Sequence, residues 1–370
     1  VVVDAAHCIS VWGHDFRPAF KRIINLVKLL PKGLPVLATT ATATKRVEQD
    51  ITYQIGNGIS VIRGNLMRDN FKLFVVKVNS EDEKMIWLGE NMERLPGSGI
   101  LYTGTRVDTE IYSKWFSYLN ISSTAYNAGL DADSRIAIES GLMQNKWKCI
   151  ISTNALGMGI DKPDIRFIIH TQIPQSPIHY YQEIGRAGRD GKLSYIILFY
   201  NPNEDKKLPE AFIEGGRPSI KKYQKVIDVI KTGLFGERQI IKQANLKQTQ
   251  FRVIKADLIE QGIIREATYG TSKKYEFIPN SQSLSTKTFE ELRESKMKDL
   301  EKMIEYIETT SSRMKFLCDY LGDRSNHNFT NCDNTGQKKI IVTVTTEWRE
   351  RLQDFRENYF PELIVESRDS

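Results

Sequence analysis

The chain has 370 residues, 52 basic against 46 acidic for a net charge of +6, and a 40% hydrophobic fraction. That length suits two or three domains with ordinary cores, and no apolar run approaches the roughly 18 residues a membrane-spanning helix needs, so no membrane partner is expected. Cys8, Cys149, Cys318 and Cys332 are too scattered for a disulfide framework and point to a reducing, cytoplasmic compartment, nucleoid-associated if the source is bacterial.

In chain order, Val1-Val2-Val3 reads as a strand that leads into Asp4-Ala5-Ala6-His7 and Cys8. A carboxylate at such a strand end suits Mg²⁺, held directly or through water, which makes Asp4 the metal candidate. The loop from Trp12 to Pro18 carries two aromatics without a period, so Trp12 and Phe16 suit base stacking and Arg17 suits a phosphate. Val36 to Thr39 reads as a strand, and Thr44 can cap a helix beginning near Lys45, with Glu48 in its first turn. Val75 to Val78 is strand-like, a helix follows from about Ser80 to Arg94, and Leu95-Pro96-Gly97-Ser98 is a turn. Strands recur at Ile100–Thr103, Ser123–Tyr126, Cys149–Ser152, Phe167–His170 and Tyr195–Tyr200, mostly separated by helical patterns. That rhythm predicts α/β architecture with parallel sheets and crossover helices. Residues 1–78 would be the rear part of one such domain and 79–200 a second.

Four tracts of the second unit carry candidate chemistry: Tyr102-Thr103-Gly104-Thr105-Arg106, Ala125 to Leu130, Ser152 to Asp161, and Gln182 to Gly191. In the last, Arg186 and Arg189 stand three apart among glycines, on a segment expected to open a helix. Guanidinium forks match phosphate oxygens and stay charged at any working pH.

Residues 201–218 are polar with Pro and Gly and read as a linker. Helical patterns at Tyr223–Lys231, Glu237–Ala244 and Thr249–Gln261, then strands at Ile263–Glu266 and Lys274–Ile278, predict a winged helix over 219–280. Ser219 to Ile278 holds twelve basic and six acidic residues, while the rest of the chain balances at 40 against 40. A localised basic excess is the footprint of nucleic-acid binding. Lys247 and Arg252 near the start of the third helix, and Lys273 and Lys274 on the wing, are its candidate contacts. Residues 281–337 read as a helical hairpin, and 338–370 as a tail or the start of a further segment.

In order and spacing, the opening tract, Ser152–Asp164 and Gln182–Gly191 resemble the RecQ family of superfamily 2 DNA helicases, over roughly Val1 to Thr335. The resemblance implies two RecA-like motor domains, the first incomplete here, with ATP and Mg²⁺ between them and DNA across both. It implies ATP-dependent 3′–5′ unwinding, at a single-stranded tail beside a duplex junction, in repair, recombination or genome defence. Asp4, His7, Gly159, Asp161, Gln182, Arg186 and Arg189 would serve nucleotide binding and catalysis. Trp12, Phe16, Arg17, Thr105, Arg106, Asn127 and Thr153 would contact DNA, Asn127 standing where the family commonly has His.

Three departures qualify it. The family reads Asp-Glu-Ala-His at the start, its Glu deprotonating the attacking water, and Ala5 cannot do so. Since the neighbours are intact, this points to an engineered Glu→Ala trap more than to decay. No GxxxxGK[ST] loop occurs, so the phosphate cradle is expected in a region preceding Val1. The family's four zinc-cysteine positions read Ser312, Phe329, Cys332 and Thr335, with Cys318 and His327 off pattern, so zinc is not expected. The rivals are a motor relic that only binds DNA, favoured by Ala5, and an RNA helicase.

Overall fold

A computed structural model describes residues 1–370 apart from 11–17, 32, 57, 157–159, 270–271, 324–328 and 360–370. Trp12, Phe16, Arg17, Gly159 and His327 therefore lie outside the described residues.

The first unit contains β1 (Val2–Val3), a 3₁₀ turn at Ala6–Ile9, α1 (Pro18–Lys28), β2 (Leu37–Ala38) and α2 (Lys45–Ile55). β1 and β2 pair in parallel. Val3, Ile9, Ile24, Val47 and Ile51 form its core. Thr44 caps α2 by accepting from the Val47 amide.

The second unit is built on β3 (Phe71–Lys77), β4 (Ser98–Tyr102), β5 (Ser123–Tyr126), β6 (Cys149–Ser152), β7 (Ile165–His170) and β8 (Ser194–Tyr200). They form one six-stranded sheet in the order β3-β8-β7-β4-β6-β5, parallel throughout. The strands are apolar on both faces because both are covered. Phe71, Leu73 and Val75 enter one core with α6 (Pro177–Ile184), while Phe74 and Val76 enter the other with α3 (Glu81–Asn91) and α4 (Arg106–Tyr118). α5 (Ala132–Met143) packs its Leu142 into the first of these cores.

The expected boundary at residue 78 moves. β3 pairs along its whole length with β8, so it is the edge strand of the second sheet. An apolar strand carries no mark of which sheet it joins. The expected linker also contains a helix, α7 (Lys207–Glu214), tied to the later helical region by a two-oxygen ion pair between Arg293 and Glu214.

Over 219–280 the chain forms α8 (Ile220–Lys231), α9 (Glu237–Ala244) and α10 (Gln248–Glu260), then an antiparallel hairpin of β9 (Ile264–Tyr269) and β10 (Ser272–Phe277), the element order expected of a winged helix. Tyr223, Val226, Ile240, Phe251, Ile254 and Leu258 fill its core. Gly262 follows α10 with φ of +67°, the left-handed turn glycine allows after a helix.

α11 (Lys287–Glu308) and α12 (Arg313–Tyr320) make the helical hairpin and bury Leu300, Met303, Tyr306 and Leu317 against the second unit's sheet. The chain then returns to the sheet edge. Asn331 to Asp333 runs beside β3, with Leu73 N donating to Asn331 O and Asp333 N to Leu73 O. Val342 and Val344 lie against the α3–α4 side. α13 (Thr346–Tyr359) docks there too, packing Trp348 edge-on and Phe355 tilted against Trp115 and pairing Arg356 with Asp82.

Candidate nucleotide and nucleic-acid site

Asp4 ends β1 with one carboxylate oxygen already committed. Oδ1 accepts from the Thr39 hydroxyl at 2.8 Å and from the Ala5 amide at 2.8 Å. The Thr39 bond first, then the Ala5 amide, holds the carboxyl below the usual range, so it stays ionised. Ala5 is left-handed, φ 52° and ψ 42°, a conformation that costs an L-residue about 1 kcal/mol. No carboxylate stands at position 5 to take a proton from water.

The tract Ala38–Ala43 links Asp4 to the second unit. His7 Nδ1 lies 2.9 Å from Thr40 Oγ1. The Thr40 hydroxyl donates to Thr42 O. Gln182 Nε2, from α6, donates to Thr42 Oγ1 at 2.9 Å. His7 and Gln182 thus sit at opposite ends of one hydrogen-bonded path between the units.

The arginine pair does not open a helix. α6 ends at Ile184, Gly185 caps its C-terminus, and Arg186 and Arg189 lie on the turn beyond. That end of a helix dipole repels anions, so the guanidinium charges act without its help. Nor does Gly188 serve phosphate approach. At φ +55° an added Cβ would sit 2.4 Å from Asn70 Nδ2 and 2.6 Å from Ser194 Oγ, so glycine here permits packing. The turn is braced from β3's approach: Arg68 donates to Ala187 O at 2.8 Å, and Asn70 donates to Gly188 O at 2.7 Å. Sequence reasoning passed over both braces, because polar residues before a strand look like any loop.

Arg189 is exposed and pairs at 2.7 Å with Asp161, whose side chain is 85% exposed. Arg186 is half-buried, within hydrogen-bonding reach of the Tyr102 hydroxyl, and its Nε is buried without a partner. Both arginines can therefore accept an anionic ligand at small loss, Arg189 by exchanging a solvent-exposed ion pair and Arg186 by filling an empty valence.

A cleft of about 690 Å³ opens at the C-terminal ends of β4, β6 and β7. Thr105, Arg106 and Thr153 line it, from three separate tracts. Thr105 caps α4 in a reciprocal box with Asp108, which fixes Arg106 at the first helical position. Asn127 is buried and internally bonded: Nδ2 donates to Thr109 Oγ1 at 3.2 Å, and Oδ1 accepts from Gly129 N at 2.9 Å. It shapes the turn beside Arg106 and offers little surface of its own. Beneath the cleft, buried Lys84 donates to Thr171 O and to both oxygens of Asp205, a brace the sequence did not signal.

On the winged helix, Lys247 and Arg252 are exposed at the start of α10. The wing differs from expectation. Lys273 pairs with Glu266 at 2.8 Å, and Lys274 also has a partner. Strand register places Thr268 and Ala267 opposite Lys273 and Lys274, and Lys273 reaches diagonally to Glu266.

The zinc-like region brings two of its four aligned positions together, Ser312 Oγ and Cys332 Sγ at 3.9 Å. The donor set does not fit zinc: Ser312, Phe329 and Thr335 supply no thiolate, and no group of three metal-binding side chains occurs among the described residues. A buried ion pair occupies the region. Arg313 Nε donates to Asp333 Oδ1 at 2.6 Å, Arg313 Nη1 donates to Tyr306 O and Ile307 O at the end of α11, and Asp333 Oδ2 accepts from Val75 N at 2.9 Å.

Two family models match the chain: the helicase conserved C-terminal domain over residues 83–191, and the RecQ zinc-binding region over residues 271–335. The chain is 40% identical over 263 residues to the probable ATP-dependent DNA helicase RecS of Bacillus subtilis, covering 68% of this chain and 52% of that protein. It is 34% identical over 239 residues to the ATP-dependent DNA helicase RecQ of the same organism, covering 63% and 40%. It is 37% identical over 218 residues to the RecQ-like DNA helicase blm-1 of Caenorhabditis elegans, covering 58% and 22%. The chain thus spans between about a fifth and a half of the length of these relatives. No helix among the described residues is long and apolar enough to cross a membrane.

Proposed function

We propose, because the chain belongs to the RecQ family of superfamily 2 helicases, that it is part of an ATP-dependent DNA motor that unwinds duplex in the 3′–5′ sense. The carrying observation is the Gln182–Thr42 hydrogen bond, which joins the arginine tract to the tract that holds Asp4. Asp4 would hold Mg²⁺, which when bound neutralises phosphate charge. Arg189 and Arg186 would meet the terminal phosphate from the second unit. Thr105, Arg106 and Thr153 would grip the backbone of the tracking strand, with Asn127 shaping the turn beside them. Trp12, Phe16 and Arg17 would sense it from the opposite unit. Repair, recombination or genome defence are the settings such a motor serves. The phosphate-cradling loop would come from sequence outside these 370 residues.

Ala5 makes this form slow to hydrolyse while leaving nucleotide binding possible. The test is Ala5→Glu in the full-length protein, expected to bring back DNA-stimulated ATP hydrolysis. Equal, negligible turnover in both forms would favour the second reading, a DNA-binding relic, for which Ala5 itself is the supporting observation.

We also propose that the chain folds without zinc, the Arg313–Asp333 pair tying α11, α12 and β3 together in the metal's place. Metal analysis is expected to find no stoichiometric zinc; one zinc per chain would overturn this.

A further inference from the structure

Between the cleft and the arginine pair lies a buried polar cluster that joins Tyr102 and Glu183, from two of the tracts above, to His170, which lies in none of them. Tyr102 ends β4 and His170 ends β7, their rings stacked at 5.1 Å and 24°. Tyr180 of α6 closes the other side of His170 at 5.1 Å. His170 is 1% exposed; its Nε2 meets Glu183 Oε2 at 2.7 Å, and its Nδ1 is buried without a partner. With Nδ1 unpaired, it is Nε2 that faces the carboxylate and donates to it. The Glu183 carboxylate accepts that hydrogen bond.

That charge faces two ways. The Glu183 side chain is 16% exposed and forms part of the cleft floor. Three residues on, Arg186 has its guanidinium beside the Tyr102 hydroxyl and its Nε unsatisfied. The Tyr102 hydroxyl also donates to Leu156 O at 3.0 Å, in the third tract.

We propose that Tyr102, His170 and Glu183 are positioning residues that make the seating of Arg186 depend on whether a nucleic-acid strand occupies the cleft. The inference rests on the motor reading above. A backbone phosphate held by Arg106 and Thr153 repels the Glu183 carboxylate. The repulsion is relieved when Glu183 turns its charge toward Arg186, and the guanidinium is then fixed between Glu183 and the Tyr102 oxygen. Strand and nucleotide therefore favour the same arrangement, which is positive linkage by differential contact. Burial holds the Tyr102 phenol far above its ordinary range, so it remains a protonated, neutral partner throughout.

The test uses the full-length protein with Ala5 in place, where ATP persists long enough for equilibrium measurement. Affinity for a single-stranded oligonucleotide is measured with and without saturating Mg·ATP. The parent is expected to show linkage within the usual range, roughly 5- to 150-fold. Tyr102→Phe removes one hydroxyl and keeps the stack; Glu183→Gln removes the charge and keeps the size. Each should reduce the linkage to about twofold or less, a small fraction of a typical allosteric coupling. Nucleotide-free DNA affinity should stay at the parent's value in Tyr102→Phe and should not fall in Glu183→Gln, which removes the charge facing the strand phosphate, so that linkage is lost without loss of binding, a pattern a merely structural role would not give. Parent-level linkage in both variants overturns the inference. Absence of linkage in the parent sinks the motor reading and the inference with it.

Discussion

Two arginine sites in this molecule use the same side chain in opposite ways. Arg313 is 5% exposed and its guanidinium bonds Asp333 and two carbonyls at the end of α11. Arg186 leaves a buried nitrogen unpaired, and Arg189 holds only a solvent-exposed carboxylate. Arg313 already has the anion it is built for, inside the chain. Arg186 and Arg189 are held by braces on their backbone, with their charge left over. Unspent hydrogen-bonding capacity separates the site proposed to bind phosphate from one that holds the fold.

The sharpest way to break that contrast is to remove a guanidinium from each side. Arg189→Ala, in the full-length protein with Glu restored at position 5, should lower turnover by about 10³-fold or more, the worth of an arginine finger in phosphoryl transfer. DNA affinity without nucleotide should persist, since Asp161 is exposed and loses little. Steady-state hydrolysis beside an oligonucleotide titration checks both, and near-normal turnover would remove Arg189 from the site.

At the holding site the same logic predicts lost stability. Asp333→Asn leaves Arg313 as a buried cation without its counter-charge, a change that costs about 3 kcal/mol or more. Denaturant unfolding should show it, with the loss confined to the transition that reports α11, α12 and the β3 edge. A chelator should leave the parent's unfolding midpoint unmoved. A midpoint that falls on chelation would mean that metal, not the ion pair, holds this region.

The two sites were unequally readable in the sequence. Thr105, Arg106, Thr153, Arg186 and Arg189 belong to local tracts whose spacing survives in one dimension, and strands β5 and β6 fell at their observed bounds. What was missed is long-range. Arg68 and Asn70 reach the arginine turn more than 110 residues along the chain, with separations of 119 and 118 to the carbonyls they hold. The Arg313–Asp333 pair depends on a return to the sheet edge that no composition signals. β3 was assigned to the wrong unit because partnership between strands is a property of the fold. The arginine tract was expected to open a helix, whereas Gly185 ends one and Gly188 makes room for Asn70.

The smallest expected effect lies on the winged helix, where the contrast between spent and unspent charge recurs among lysines. Lys247 and Arg252 stand exposed at the start of α10, where a helix N-terminus also favours phosphate. Lys273 is already paired with Glu266 at 2.8 Å. Each phosphate contact contributes about 0.9 to the slope of log affinity against log salt on duplex DNA. Replacing Lys247 and Arg252 together by alanine should flatten that slope by up to roughly 1.8 and weaken duplex binding across sequences. Lys273→Ala should change the slope by much less, because Glu266 already neutralises its charge and leaves it less able to release a counterion from a DNA phosphate. Binding isotherms at several salt concentrations decide the matter. If Lys273→Ala flattens the slope as much as the loss of Lys247 or Arg252, then the wing ion pair opens on DNA, and pairing in the free protein is a poor guide to which charges are spent.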